Sequence, residues 1–262
     1  EQPLEEVVLG GLVLPGGQLA SLYLEPFDVV PGDGVVIIES KSGRRHVQSR
    51  SLVHLYRGHL VGDATATAFL SVSGKHLNGF IHSDDEIHLL STGAVTGRRG
   101  DRLYVSPARD LEEWMSEMPF CGVDHVEQPL AAQLAGGHEA AGASRGLCTV
   151  IELAMDSDWE YTSVVFGGDA EESAAYAITL SAAVSEIYSN EMNIQFQLNF
   201  VRTWEDDSDP YDPNGDDMLN QFRDVWVAEM SWVDRDIAHV LSGRDNLPYG
   251  GVAWLGTAWP GW

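Results

Sequence analysis

Cys121 has the most chemically suggestive surroundings in the chain, Met118-Pro119-Phe120-Cys121-Gly122-Val123. Pro119 fixes φ ahead of the thiol and Gly122 removes bulk behind it, so the segment suits an extended path into a narrow cleft. A thiolate delivered that way can fill the open position of a zinc ion. The plainer reading of a lone cysteine is a buried hydrophobe. The histidines are His46, His54, His59, His76, His82, His88, His125, His138 and His239. None belongs to a His-Glu-X-X-His run, which sets two imidazoles one helical turn apart with a general base between them. His138-Glu139 begins that pattern, but Gly142 stands where the second His belongs. His82 and His88 flank Asp84, Asp85 and Glu86 and offer N and O donors to a divalent ion. Their separation fits no helix face, so a solvated turn between two strands is expected there.

The loop Glu205 to Asp217 carries seven carboxylates, Glu205, Asp206, Asp207, Asp209, Asp212, Asp216 and Asp217. Pro210 and Pro213 break the Asp-X-Asp-X-Asp-Gly order of an EF-hand, leaving charge density as the argument for calcium and a solvated loop as the expectation.

The elements that would position these residues differ along the chain. Short apolar runs separated by Gly-containing turns predict strands at Val7 to Leu14, Leu22 to Phe27, Val35 to Ile38, Leu52 to Tyr56, Ala64 to Val72, Leu77 to Ile81 and Ile87 to Leu90. Residues 1–117 therefore read as an antiparallel β domain. Residues 118–147, with Gly136-Gly137 and Gly142 among Ala, Gln and Ser, read as a linker. Residues 148–262 read as α/β. Cys148 to Met155 is a short buried strand, and Asp169 with Glu172 is a capping box opening a helix striped by Ala177, Leu180, Val184, Ile187 and Tyr188. Asn193 to Phe200 alternates, with Ile194, Phe196, Leu198 and Phe200 on one face. A second helix from about Asp216 buries Leu219, Phe222, Val225, Trp226 and Met230. A helical turn near Ile237 to Leu241 and a strand near Gly250 to Leu255 complete the sequence. Strand, helix, strand, helix implies a mostly parallel sheet. The fold class is α+β overall.

Pro119-Phe120-Cys121-Gly122-Val123 resembles the cysteine switch of reprolysin-like (adamalysin-type) metzincin zinc proteases, with Phe120 in place of the usual Met. Val150-Ile151-Glu152-Leu153-Ala154 resembles the first strand of that catalytic domain, Ala182 to Asn190 its first long helix, and Asn193 to Trp204 its second strand. Asp236 to Gly243 and Gly251-Val252-Ala253-Trp254-Leu255-Gly256 are similar to the segments before the active-site helix. The resemblance implies a zinc endopeptidase zymogen in which Cys121 fills the fourth zinc position and excludes the nucleophilic water. It implies cleavage in the linker, with Arg145 as the basic cut point, and a substrate-binding edge strand at Gly251, Ala253 and Leu255. It places Glu152 at a calcium-ligating position. It also implies a chain that stops before its zinc ligands, hence an inactive fragment without catalytic residues of its own. A releasable propeptide forbids a Cys121–Cys148 bridge, so Cys121 is expected free or on zinc, and Cys148 buried or bonded to a downstream Cys. The same resemblance implies protein or peptide substrates, an intramolecular contact between propeptide and catalytic domain, and export from the cell.

Composition narrows the alternatives. Against 15 Lys and Arg stand 40 Asp and Glu, a formal charge of −25, which repels phosphate backbones and anionic lipid and sets nucleic-acid binding aside. No apolar run is long enough to span a membrane. The rival function is a non-catalytic secreted binding module that presents the same sheet edge to a partner strand.

Overall fold

The computed structural model describes residues 4–74, 76–83, 86–92, 103–111 and 148–253. Cys121, Arg145 and Leu255 lie outside these residues, as do Asp84, Asp85, His125 and His138. Alternation of apolar and polar residues builds β1 (Val7–Val13), β2 (Leu19–Phe27), β5 (His54–Leu60), β6 (Asp63–Ser73), β7 (His76–Ser83), β8 (Glu86–Ser91) and β9 (Tyr104–Pro107). Among the described residues these pair antiparallel in the order β1-β2-β5-β6-β7-β8-β9. On β6 the period of two is visible in the packing. Phe69 faces one core, with Leu55 and Phe80, while Ala68 and Leu70 face another, with Leu22, Leu24, Ile81 and Leu90.

The hairpin β3 (Val35–Ser40) and β4 (Gly43–Val47) leaves this sheet between β2 and the short helix α1 (Ser49–Leu52). It joins β10 (Thr149–Ser157), β11 (Ile194–Trp204) and β12 (Ile237–Leu241) in a second sheet ordered β12-β10-β11-β3-β4. The β12–β10, β10–β11 and β11–β3 pairs are parallel and β3–β4 is antiparallel. The sheet is mixed, and β3 lies directly beside β11 with Val36 opposite Val201. The boundary drawn in the sequence at residues 117–148 is thus crossed by a hairpin. β4 escaped sequence reading because Gly43-Arg44-Arg45-His46 is exposed on an edge and carries charge instead of apolar alternation.

Helix α2 (Ala170–Met192) begins where the sequence places it. The Asp169 carboxylate accepts from the Glu172 amide at 3.0 Å, and Asn193 at φ 56° closes the far end. Its buried face differs from the expected stripe. Ala174, Ala175, Ala177, Ile178 and Ala182 are buried, whereas Val184, Ile187 and Tyr188 are exposed. The helix lies between the two sheets, against β11 on one side and β5 and β6 on the other, and small side chains allow both approaches. The larger residues of its last two turns lie on the outer face.

The other face of the second sheet is covered by α3 (Met218–Glu229), which the Asp217 carboxylate caps at the Asn220 amide. Met218, Phe222 and Trp226 are buried there with Phe200, Ile37 and Ala154. Phe200 does not share a face with Leu198, contrary to the uninterrupted alternation expected. The β10–β11 register slips between Leu153↔Leu198 and Ala154↔Phe200, leaving Asn199 as an extra residue that rotates the rest of the strand. Ile237–Leu241 is a strand paired with Leu153–Ser157 and not a helical turn. Its backbone hydrogen bonds come from a distant neighbour that periodicity cannot show.

Candidate functional site

In a sheet of parallel strands the loops beyond the carboxyl ends converge, and there ligands bind in many α/β folds. Here β10, β11 and β12 end at Ser157, Trp204 and Leu241. Two buried carboxylates, Asp156 at the end of β10 and Asp158 just beyond it, organise the loops at this margin.

Asp156 is 1% exposed and points to the α3 side. Its Oδ1 accepts from Arg202 Nε at 2.9 Å and its Oδ2 from Arg202 Nη2 at 2.5 Å. Oδ2 also accepts from the Tyr211 hydroxyl at 2.6 Å and Trp226 Nε1 at 2.8 Å. Burial alone would lower the Arg202 guanidinium, but the Asp156 charge outweighs it and leaves the group raised. The Tyr211 hydroxyl is pushed up by burial first and by Asp156 next. This ion pair has both fork nitrogens engaged and both carboxylate oxygens satisfied, so it ties β10, β11, the acidic loop and α3 together. It has no capacity left for a substrate.

Asp158 is 0% exposed and lies one strand pleat further on. It accepts from the amides of Tyr161 at 2.7 Å and Gly243 at 3.0 Å and from the Ser242 hydroxyl. Arg244 Nε is 3.1 Å from its Oδ2. A Cβ on Gly243 would sit 2.2 Å from the Glu160 carbonyl oxygen, so the chain leaving β12 passes over the turn after β10 too closely for any side chain. Asp209 accepts from the amides of Trp159 at 3.3 Å and Tyr211 at 3.0 Å. Its carboxyl is pushed up to about 6 by burial, with Glu160 and Asp158 adding repulsion.

The rest of the acidic loop is occupied with its own turns, as the solvated-loop reading expects. Asp206 accepts from the Ser208 hydroxyl and next from the Lys41 amide, which hold it below its ordinary value, and Asp207 pairs with the Lys41 ammonium. Asp212 accepts from the Asn214 amide. Among the described residues no three His, Cys, Asp or Glu side chains come together as a metal-ligand set. Glu152, the expected calcium ligand, sits on β10 with its amide bonded to Asp236 and its carbonyl receiving the Asp236 amide.

The other residues singled out in the sequence are scattered. Gly251 and Ala253 are exposed and belong to no strand, so β12 forms that margin of the sheet among the described residues. His239 is exposed on β12, opposite Met155. His82 and His88 lie on the hairpin β7–β8, where Ser83 pairs with Glu86, as a turn between two strands requires. His88 is buried 3.5 Å from Glu86, which Arg109 also holds at 2.7 Å. Cys148 is exposed, which removes burial from the two states expected for it, with its thiol 3.8 Å from its neighbour's carbonyl. Sequence reasoning missed Asp156, Asp158, Arg202 and Arg244. Their one sequence signal is charge inside or just beyond apolar strands, as in Phe200-Val201-Arg202-Thr203.

Among the described residues no helix is long and apolar enough to cross a membrane. Residues 148–261 match a family model, Reprolysin_5, described as metallo-peptidase family M12. No curated protein matches the chain. Among solved structures, the crystal structure of metalloproteinase-II from Bacteroides fragilis is similar over 93% of this chain and 68% of that one, with 9% identity and a TM-score of 0.33. That likeness is too loose to place any residue. The family match spans the β10-α2-β11-α3-β12 unit with its connecting loops, and it supports a metallopeptidase of family M12 for this part of the chain.

Proposed function

We propose that residues 148–262 are the amino-terminal part of a zinc-dependent metallopeptidase domain and that the chain belongs to a latent, exported endopeptidase. The observation that carries the reading is the family match over 148–261, which coincides with the strand, helix, strand, helix, strand unit of the second sheet. In this reading Cys121 is the inhibitory switch, Arg145 the activation cut, and Gly251, Ala253 and Leu255 a backbone segment, outside the sheet at residues 251–253, that pairs with a peptide or protein substrate.

The described residues do not fit a zinc ion, since they bring no ligand set together and only His239 of the nine histidines lies beyond residue 148. The reading therefore requires the zinc ligands and the general base from sequence beyond residue 262. This chain's contribution is the scaffold. The Asp156–Arg202 pair fixes the sheet against α3, and Asp158 fixes the path of the chain from β12 toward the proposed substrate segment. The division at 117 and 148 is then one of sequence roles. A cut at Arg145 opens the chain but leaves β3 hydrogen-bonded to β11.

The test is the protein expressed from its complete reading frame. The reading expects a His-Glu-X-X-His-X-X-Gly-X-X-His run downstream, about one zinc per chain by elemental analysis, and hydrolysis of a denatured protein that a chelator abolishes. A reading frame without that run, or a protein with neither zinc nor hydrolysis, contradicts it.

A further inference from the structure

A cleft of about 870 Å³ opens where the two sheets meet, at the amino ends of β10 and β11 and so across the second sheet from Asp156 and Asp158. Part of its lining comes from the end of β2, the turn after it, β5 and the start of α1, around Phe27, Gln48 and Arg57. The rest comes from the last turns of α2 and the first residues of β10 and β11, around Glu186, Gln195 and Gln197. The volume lies within the ~300–1,000 Å³ of small-ligand sites.

Among the described residues, the charged side chains that line it are Asp28, Arg50, Arg57 and Glu186. Asp28 accepts from Arg50 Nε at 2.9 Å, so those two charges balance each other. Arg57 and Glu186 do not: among the described residues neither enters an ion pair, with the other or with any third group. The Arg57 guanidinium lies over the Phe27 ring, 5.4 Å from its centre, which orients its N–H donors without satisfying them. Glu186 is only 8% exposed, and its Oε1 accepts from the Asn190 side-chain amide at 3.0 Å. A carboxylate buried to that degree without a cation is destabilising, and a bound cation would offset that.

The remaining polar lining includes the side-chain amides of Gln48, Gln195 and Gln197, each able to donate and to accept. A carboxylate, a guanidinium and amides in one cavity are the complement of a zwitterion with peptide bonds in its middle. Glu186 and Arg57 belong to different elements and do not meet, so the ligand must carry its two charges further apart than a free amino acid does. We propose that this cleft binds a short linear peptide, its α-ammonium on Glu186 and its α-carboxylate on Arg57. Both termini are ionised at pH 7. The site goes beyond the peptidase reading, because Phe27, Gln48 and Arg57 lie outside the family match and binding here breaks no bond.

Isothermal titration of the whole chain with trialanine at pH 7 tests this, whether or not the zinc reading holds. Trialanine should bind, and N-acetyl-trialanine and trialanine amide should each bind about tenfold more weakly, as should free alanine. Glu186→Gln should weaken trialanine by a similar factor and erase the effect of acetylation while keeping that of amidation. Arg57→Gln should do the reverse. No binding of trialanine, binding that either cap leaves unweakened, or alanine binding as tightly as the tripeptide overturns the proposal. So does a Glu186→Gln chain that still discriminates against the acetylated peptide. Should Glu186→Gln fail to fold, an Arg57→Gln chain that still discriminates against the amide overturns it.

Discussion

The two sheets are assembled on opposite principles. The antiparallel sheet takes all its described strands from residues 7–107, and most neighbours in space are neighbours in sequence. The mixed sheet draws β3 and β4 from residues 35–47, β10 and β11 from 149–204 and β12 from 237–241. Its central junction joins Val35–Glu39 to Phe200–Trp204 across more than half the chain. The part of the chain that matches the metallopeptidase family model is thus completed by a hairpin from residues 35–47, outside that match. The Val29 carbonyl, which accepts from the Leu198 amide at 2.9 Å, continues the same seam.

Breaking the mixed sheet from within should have the largest effect. Asp156→Ala strands Arg202 as a buried unpaired cation and removes the acceptor of Tyr211 and Trp226. A loss of roughly 3–5 kcal/mol is expected by denaturant unfolding. Replacing Asp156 and Arg202 together by apolar residues should recover much of it, because the desolvation cost of both charges is then removed.

A smaller change sharpens the comparison between the sheets. Ile37, on β3, is 0% exposed and packs with Phe200 and Trp226. Ile37→Ala should cost about 2–5 kcal/mol, and hydrogen exchange should report it in α3 and β11, far away in sequence. Val8, 64% exposed on the outer strand of the antiparallel sheet, is the control. Val8→Thr should stay within about 0.5 kcal/mol of the parent. An Ile37→Ala effect confined to residues before 111 would mean that the hairpin belongs energetically to the first sheet alone.

The same contrast explains what the sequence made legible. β1, β2, β6 and β7 were readable because alternation and a nearby turn are both local, and α2 because Asp169 and Glu172 mark its start within four residues. The mixed sheet hides its logic. β12 is five residues with no turn partner, and its identity as a strand depends on Leu153–Ser157. The residue that rotates β11, Asn199, looks like any other wet-face position until the register against β10 is known. On α2 the alanines, not the larger residues, form the buried face, because two sheets approach at once. The carboxylate pairs of the candidate site were invisible for the same reason: Asp156 and Arg202 stand 46 positions apart, and Asp158 and Arg244 are further still. The resemblance that marked Cys121 and Arg145 concerns residues outside the described part of the chain, and it says nothing of the strand shared between the halves.

In the proposed activation a cut at Arg145 frees the segment that carries Cys121, while the pairing of β3 with β11 keeps the two halves joined. The direct measurement is size-exclusion chromatography of the chain after a single cut at Arg145 under native conditions. The account predicts that fragments 1–145 and 146–262 elute together as one species and separate only in denaturant. Separate elution of two folded fragments would contradict it.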